Sequence, residues 1–151
     1  MKSMFLTIDP GNQTGWAFWD VTLQDVELIA CGLVEHVVGL TTICSDVWIE
    51  SQVVYSRSKA RPKDIISLAQ TAGKWAGLYE SLGAAIHWVE PAQWKGQLPK
   101  DVCHARMWSE LSPREQKIVN RACKGMAVSK RHNVLDAVGI GIWVRKNFRM
   151  C

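Results

Sequence analysis

The chain has 151 residues, 48% hydrophobic and 21% charged, with eight Trp and no biased tract; this excludes a disordered segment and fits one domain with its own core. No apolar run approaches the ~20 residues that a membrane-spanning helix needs. The net charge of +4 hides a division, since residues 1–50 carry one basic and seven acidic side chains (net −6) and residues 51–151 carry seventeen and seven (net +10), a pattern that points to a polyanionic partner for the later part.

In chain order, Met1–Leu6 lead straight into Thr7-Ile8-Asp9-Pro10-Gly11, without the apolar core or cleavage site of a signal peptide. Phe5–Asp9 reads as a strand ended by the turn cluster Pro10-Gly11-Asn12. Gly15–Val21 and Glu27–Glu35 read as two more strands, and the short connections make the three an antiparallel meander. Asp46–Glu50, with Val-Trp-Ile at its centre, reads as a buried strand ending in a carboxylate. Pro62 opens a helix to about Leu82, with Ile65, Leu68, Ala69, Ala72, Trp75, Ala76 and Tyr79 at helical spacing. Ala85–Val89 is a further short strand. A helix is expected from near Lys100 to Leu111. The next is opened by Ser112-Pro113-Arg114-Glu115, in which Ser caps, Pro takes the first helical position and Glu reaches back. A last helix covers about Lys130–Asn147. This order predicts a mixed sheet flanked by helices, with the fourth and fifth strands parallel and joined by a right-handed crossover.

Five cysteines (Cys31, Cys44, Cys103, Cys123, Cys151) are odd in number, widely spaced and without a C-x-x-C pair. Neither a disulfide framework nor a zinc knuckle is expected, and the thiols read as reduced in a cytoplasmic protein. Trp16, Trp19, Trp48 and Trp88 lie on strands and are assigned to the core. Gly139 and Gly141 are poor helix formers that let the last helix lie close to the sheet, bringing Asp136 towards Asp9.

Three acids stand where a folded sheet would gather them. Asp9 ends the first strand, Glu50 ends the fourth, and Asp136 sits mid-helix between Leu135 and Ala137. An acid at the end of an apolar strand is costly to bury unless it is solvated, paired or metal-bound. Taken alone, Asp9 also fits a turn former and Asp136 a salt bridge or an exposed helix face. Jointly they suit a hard divalent cation, which takes carboxylate oxygens from several chain segments and leaves room for water and phosphate. His132 and Asn133, four and three residues before Asp136, share its side of the helix. Either could add a ligand or orient the attacking water; a solvent-facing His132 in the basic turn Lys130-Arg131-His132 is the alternative.

Ile8-Asp9-Pro10-Gly11-Asn12-Gln13-Thr14-Gly15-Trp16-Ala17 resembles the opening motif of the RuvC family of Holliday-junction resolvases, within the RNase H-like nuclease superfamily. Trp48-Ile49-Glu50-Ser51-Gln52 is similar to that family's second motif. His132-Asn133-Val134-Leu135-Asp136-Ala137-Val138-Gly139-Ile140-Gly141 is similar to its closing helix, and Val89-Glu90-Pro91-Ala92-Gln93-Trp94-Lys95-Gly96 to the segment after its fifth strand. The resemblance covers nearly the whole chain in order and spacing. It implies a single RNase H-like nuclease domain over residues 1–151, an α/β fold whose mixed sheet joins a three-stranded antiparallel meander to parallel strands, flanked by helices. It also implies Asp9, Glu50 and Asp136 as metal-binding carboxylates and Lys95 and Lys100 near the cleaved phosphate. Two Mg²⁺ ions are implied, with Mn²⁺ as a substitute. The fourth family position falls on Asn133, where the family has an acid or His. Its neutral amide oxygen is a weaker Mg²⁺ ligand, so either Asn133 serves with reduced charge, or His132 takes over through a shift in the helix, or the site binds one metal poorly.

The resemblance implies paired symmetric cuts in a four-way DNA junction, leaving a 5′-phosphate and a 3′-hydroxyl. It further implies a two-fold homodimer, with the helix over 63–82 and its Trp75 and Tyr79 as candidate interface and a core role as the competitor. The expected place of action is the cytoplasm, the host's if a virus encodes the chain. Arg57, Lys59, Arg61 and Lys63 alternate just after Glu50 and read as a phosphate-binding loop or, equally, as a solvated one, with Tyr55 able to stack on an opened base or to pack beneath the loop. Arg114, Lys117, Arg121, Lys124, Lys130 and Arg131 form a second basic series. The Asp9–Trp16 loop is also like the phosphate loop of actin-like ATPases, but 151 residues leave no room for two lobes. A nuclease for forks or flaps and a non-cleaving junction binder remain the alternatives.

Overall fold

Aromatic and β-branched runs, each stopped by a turn cluster, build five strands in a computed structural model that describes residues 3–35, 42–54, 56 and 59–147. The strands are β1 (Ser3–Asp9), β2 (Thr14–Val21), β3 (Val26–Val34), β4 (Asp46–Glu50) and β5 (Ala85–Val89). They form one sheet in the order β3-β2-β1-β4-β5. The meander β1–β2–β3 is antiparallel, and β4 pairs in parallel with both β1 and β5. Helix α1 (Pro62–Ser81) joins β4 to β5, and α2 (Pro91–Trp94), α3 (Lys100–Glu110), α4 (Pro113–Cys123) and α5 (Val128–Asn147) follow. The fold is the expected RNase H-like α/β arrangement.

Because strand side chains alternate between faces, the sheet builds two cores. Leu6, Ile8, Phe18, Val47 and Ile49 meet Ala72, Trp75 and Tyr79 of α1 on one face. Phe5, Ala17, Trp19, Trp48 and Val89 meet Val134, Ala137, Val138 and Ile140 of α5 on the other, with α3 and α4 beside them. Helix α5 is apolar almost all round through its middle, as a helix enclosed by sheet and neighbouring helices must be.

Buried polar bonds and close glycine approaches seat α5. Thr7 Oγ1 donates to the Ala137 carbonyl at 2.7 Å and accepts from Trp19 Nε1 at 3.2 Å. Asn133 Nδ2 donates to the Gln13 carbonyl in the β1–β2 turn at 3.0 Å. A β-carbon at Gly15 would lie 1.8 Å from the Asn133 carbonyl oxygen, and one at Gly141 would lie 2.0 Å from the Trp19 indole. Only glycine therefore permits this approach at either point. At the far end of α5, Arg145 Nη1 stands 2.9 Å from Oε1 of buried Glu115. Glu115 Oε1 also accepts from the Leu28 N–H at 2.8 Å, and Oε2 accepts from the Ser112 N–H at 2.8 Å. That last bond and Glu115 N–H to Ser112 Oγ (3.2 Å) form the expected capping box of α4.

Some expectations need correction. Trp88 is 51% exposed, not core: β5 is an edge strand, and the pleat turns Trp88 to the α1 side, where that helix leaves it open. Trp75 and Tyr79 are fully buried, and Trp75 Nε1 donates to Thr14 Oγ1 at 3.2 Å, so neither serves an interface. Ala69 is exposed. The four-residue helix α2 was not foreseen, although Glu90-Pro91-Ala92-Gln93 carries the same capping box and leading Pro as the start of α4. Among the described residues, Cys31, Cys44, Cys103 and Cys123 are free thiols, and burial pushes Cys31 and Cys44 up to about 12. No described helix is long and apolar enough to cross a membrane.

Candidate active site

Asp9 and Glu50 follow directly on Ile8 and Ile49, which are register partners in neighbouring parallel strands. Both acids therefore stand at the carboxyl end of the parallel pair, where open α/β sheets form their ligand crevice. Their alternation places them on the α5 face, with Phe5, Thr7 and Trp48. The Thr7–Ala137 bond and the Gly15 notch seat the helix turn holding Asp136 beside them. All three carboxylates are nearly enclosed, at 8%, 7% and 5% exposure.

Their charges act on one another. Asp9 is raised well above its usual 3.8, first by burial, then by Glu50 and Asp136, with Lys95 and Lys100 opposing. Among the described residues its carboxylate takes no hydrogen bond or ion pair. Glu50 is also raised, first by burial, while Lys95 and the Trp94 hydrogen bond hold it down and Asp136 pushes it further up. Trp94 Nε1 donates to Glu50 Oε2 at 2.7 Å, and Lys95 Nζ lies 3.8 Å from the same oxygen. Helix α2 delivers both side chains, and Gly139 makes room for the Trp94 ring, which would lie 2.5 Å from a β-carbon there.

Helix α3 serves Asp136 in the same way. Its stripe Lys100, Cys103, His104, Met107 has the i, i+3, i+4, i+7 spacing of one helix face. Lys100 Nζ lies 3.7 Å from Asp136 Oδ2, and His104 Nε2 lies 2.7 Å from Oδ1. The His104 ring stacks on His132, with centroids 5.4 Å apart and planes 25° apart. Among the described residues His132 Nδ1 is buried without a hydrogen-bond partner, and the His132 pKa is lowered by burial and by the Lys100 and His104 charges.

Asp9, Glu50, Asp136, Lys95, Lys100 and His132 thus lie in one neighbourhood. Asn133 lies at the same end of α5, with its amide nitrogen committed to Gln13. Trp94 and His104 were missed by sequence reasoning. The capping box at Glu90 signalled the turn that presents Trp94, and the four-residue step from Lys100 put His104 on that lysine's face. Lys59, Arg61 and Lys63 are exposed, and Arg61 Nε pairs with Asp64 Oδ2 at 2.9 Å across the start of α1. Tyr55 and Arg57 lie outside the described residues. In the second basic series, Lys117, Lys124 and Lys130 are exposed, while Arg114 reaches Glu27 at 3.5 Å.

The donor chemistry fits a hard divalent cation: hard oxygens, mutual repulsion, and one buried carboxylate without a hydrogen-bond or ion-pair partner among the described residues. The side chains do not yet close on one point. Among the described residues, no three His, Cys, Asp or Glu side chains are gathered as a finished metal-ligand set.

No protein-family model matches the chain, and no curated protein matches it. Comparison with solved structures defines its class as an RNase H-like α/β fold. Within that class the fold is RuvC-like. The chain is similar to the Thermus thermophilus RuvC structure, at 15% identity over 93% of this chain and 92% of that one, with a TM-score of 0.59. It is also similar to the crystal structure of the fowlpox virus Holliday junction resolvase, at 14% identity over 96% and 99%, with a TM-score of 0.64. The fowlpox virus resolvase in complex with substrate Holliday junction DNA gives 13% identity over 95% and 99%, with a TM-score of 0.59.

Proposed function

We propose that the chain is a metal-dependent endonuclease that resolves four-way DNA junctions by paired, symmetric phosphodiester hydrolysis. The observation that carries this reading is the enclosure of Asp9, Glu50 and Asp136 on one face at the end of the parallel strands, within a resolvase-like fold. Those three carboxylates would hold Mg²⁺, with Mn²⁺ as a substitute, and two ions per site are expected. When bound, such ions activate the attacking water and stabilise the leaving oxygen.

The chain's own residues orient and neutralise. Trp94 fixes one oxygen of Glu50 by hydrogen bond. Lys95 and Lys100 act as counter-ions to Glu50 and Asp136, and near the scissile phosphate they would share its negative charge. Asn133 docks α5 on the β1–β2 turn through its amide nitrogen, and its neutral amide oxygen or the neighbouring His132 would complete the metal site. The loop from Tyr55 to Lys63 would grip backbone phosphate beside Glu50, with Tyr55 stacking at the junction centre. Two symmetric cuts call for a two-fold homodimer. The outward face of α1, where Ile66 is exposed and no atoms crowd Gly73 or Gly77, is open for that contact.

A labelled mobile junction, incubated with and without Mg²⁺ and mapped strand by strand, tests the proposal. Paired symmetric nicks that need metal are expected. Asp136→Asn should cut at least about 100-fold more slowly and still bind the junction; full activity in that variant sinks the assignment. Forks and flaps run beside the junction test the broader nuclease. A non-cleaving junction binder is the second reading, favoured by the unfinished ligand set; junction binding with no Mg²⁺- or Mn²⁺-dependent nicking would establish it.

A further inference from the structure

We infer that His104 is a positioning residue for Asp136, fixing which carboxylate oxygen is left for a cation. The inference rests on the metal-dependent reading above. Asp136 sits in the middle of α5 between buried Val134 and Val138, where the helix's own N–H groups are used within the helix and offer it no donor. Its orientation must come from a neighbouring element. Among the described residues its hydrogen-bond and ion-pair partners are Lys100 and His104, both on one face of α3.

The two partners are unequal. Lys100 is half exposed and its ammonium stays 3.7 Å away, an ion-pair distance without a fixed direction. His104 is 11% exposed and stands at 2.7 Å, a directed hydrogen bond. A carboxylate only accepts, so the imidazole Nε2–H donates and its tautomer is set by Asp136. The stack on His132 restrains the ring against rotation. The terminal torsion of Asp is broad and two-fold, so an untethered carboxylate exchanges its oxygens. Engaging Oδ1 breaks that symmetry and leaves Oδ2 for a cation, which would take the place of the half-exposed Lys100 ammonium now 3.7 Å from it. Hydrogen bonds of this kind, one step behind a ligating carboxylate, are worth about 10–100-fold in metal affinity or activity. Asn133, at the place where the resemblance expects a charged or imidazole ligand, offers only a neutral amide oxygen, so Asp136 bears more of the binding, and its aim matters more.

The test compares wild type, His104→Ala, His104→Met and His104→Gln. Met keeps side-chain volume without a donor, and Gln restores an N–H. Mn²⁺ affinity is measured without DNA by water-proton relaxation, Mg²⁺ half-saturation by junction nicking, junction affinity in EDTA, and folding by circular dichroism. His104→Ala and His104→Met should weaken Mn²⁺ binding and raise the Mg²⁺ requirement by about 10–100-fold, with junction affinity in EDTA unchanged. His104→Gln should recover most of the loss. Metal affinity equal to wild type in folded His104→Met, or a folded His104→Gln no better than His104→Met, overturns the inference. If His104→Ala does not fold, the Met and Gln pair decides. Wild type that binds Mn²⁺ with this dependence on His104 but leaves every junction uncut overturns the proposed activity and upholds the positioning role.

Discussion

Asp9 is buried beside two other carboxylates, a burden that Lys95 and Lys100 offset only in part, and this has a consequence for stability. Burial and the charges of Glu50 and Asp136 raise its folded pKa well above 3.8. The stability associated with the protonated carboxyl is therefore complete below about 3.8 and declines as pH climbs through the raised value. Asp9→Asn removes that decline. The variant should melt above wild type at neutral pH, by about 2–4 °C for each kcal/mol of repulsion relieved, and lose its advantage on acidification towards 3.8. Melting curves across pH check this, and a variant no more stable than wild type at pH 7 would refute it. Mg²⁺ should narrow the gap by stabilising wild type alone. Asp9 and Glu50 were legible because an acid that ends an apolar strand breaks the local pattern. His104 was not, because its partner lies on another helix and nothing within α3 itself demands a histidine.

The docking of α5 turns on glycines and buried polar bonds. Gly15→Ala would drive a methyl group into the Asn133 backbone, so α5 must shift. Overpacking of this kind costs about 1–3 kcal/mol, and moving Asp136 should reduce nicking more than junction binding. Nicking and affinity measured together decide it; unaltered nicking would remove Gly15 from the site's support. At the other end, Glu115→Ala takes away Arg145's buried carboxylate partner, leaving it the Val26 and Glu110 carbonyls, and frees the Leu28 and Ser112 N–H groups. Loss of one partner from such a pair costs about 3–5 kcal/mol, which denaturant unfolding would register. The strands and long helices were readable from β-branched runs, turn clusters and 3.6-residue spacing. Four residues are too few to show a period, so only the capping box could have revealed α2. The meeting of Gly139 with Trp94 belongs to tertiary packing and left no trace in either segment.

Across the chain, the basic excess after residue 50 predicts binding that weakens steeply with salt. Replacing Lys59 and Lys63 with Ala should lower the slope of log K against log salt by about 1 for each phosphate no longer neutralised. An unchanged slope would remove that loop from the interface. The order of the strands in the sheet was legible only in part. The short connections of the meander showed which strands pair, whereas β5 at the edge, and hence the exposure of Trp88, depends on where the chain goes after α1.

The three acids come from positions 9, 50 and 136, and the third arrives on a helix that must dock across strands made at the beginning of the chain. During translation the ribosome releases the first two long before the last. If the proposed function holds, a nascent chain lacking α5 holds two repelling carboxylates and no third, and would leave the nucleic acid around it uncut. On the proposed function, hydrolytic competence would thus appear only once α5 has been made and closes over β1 and β2.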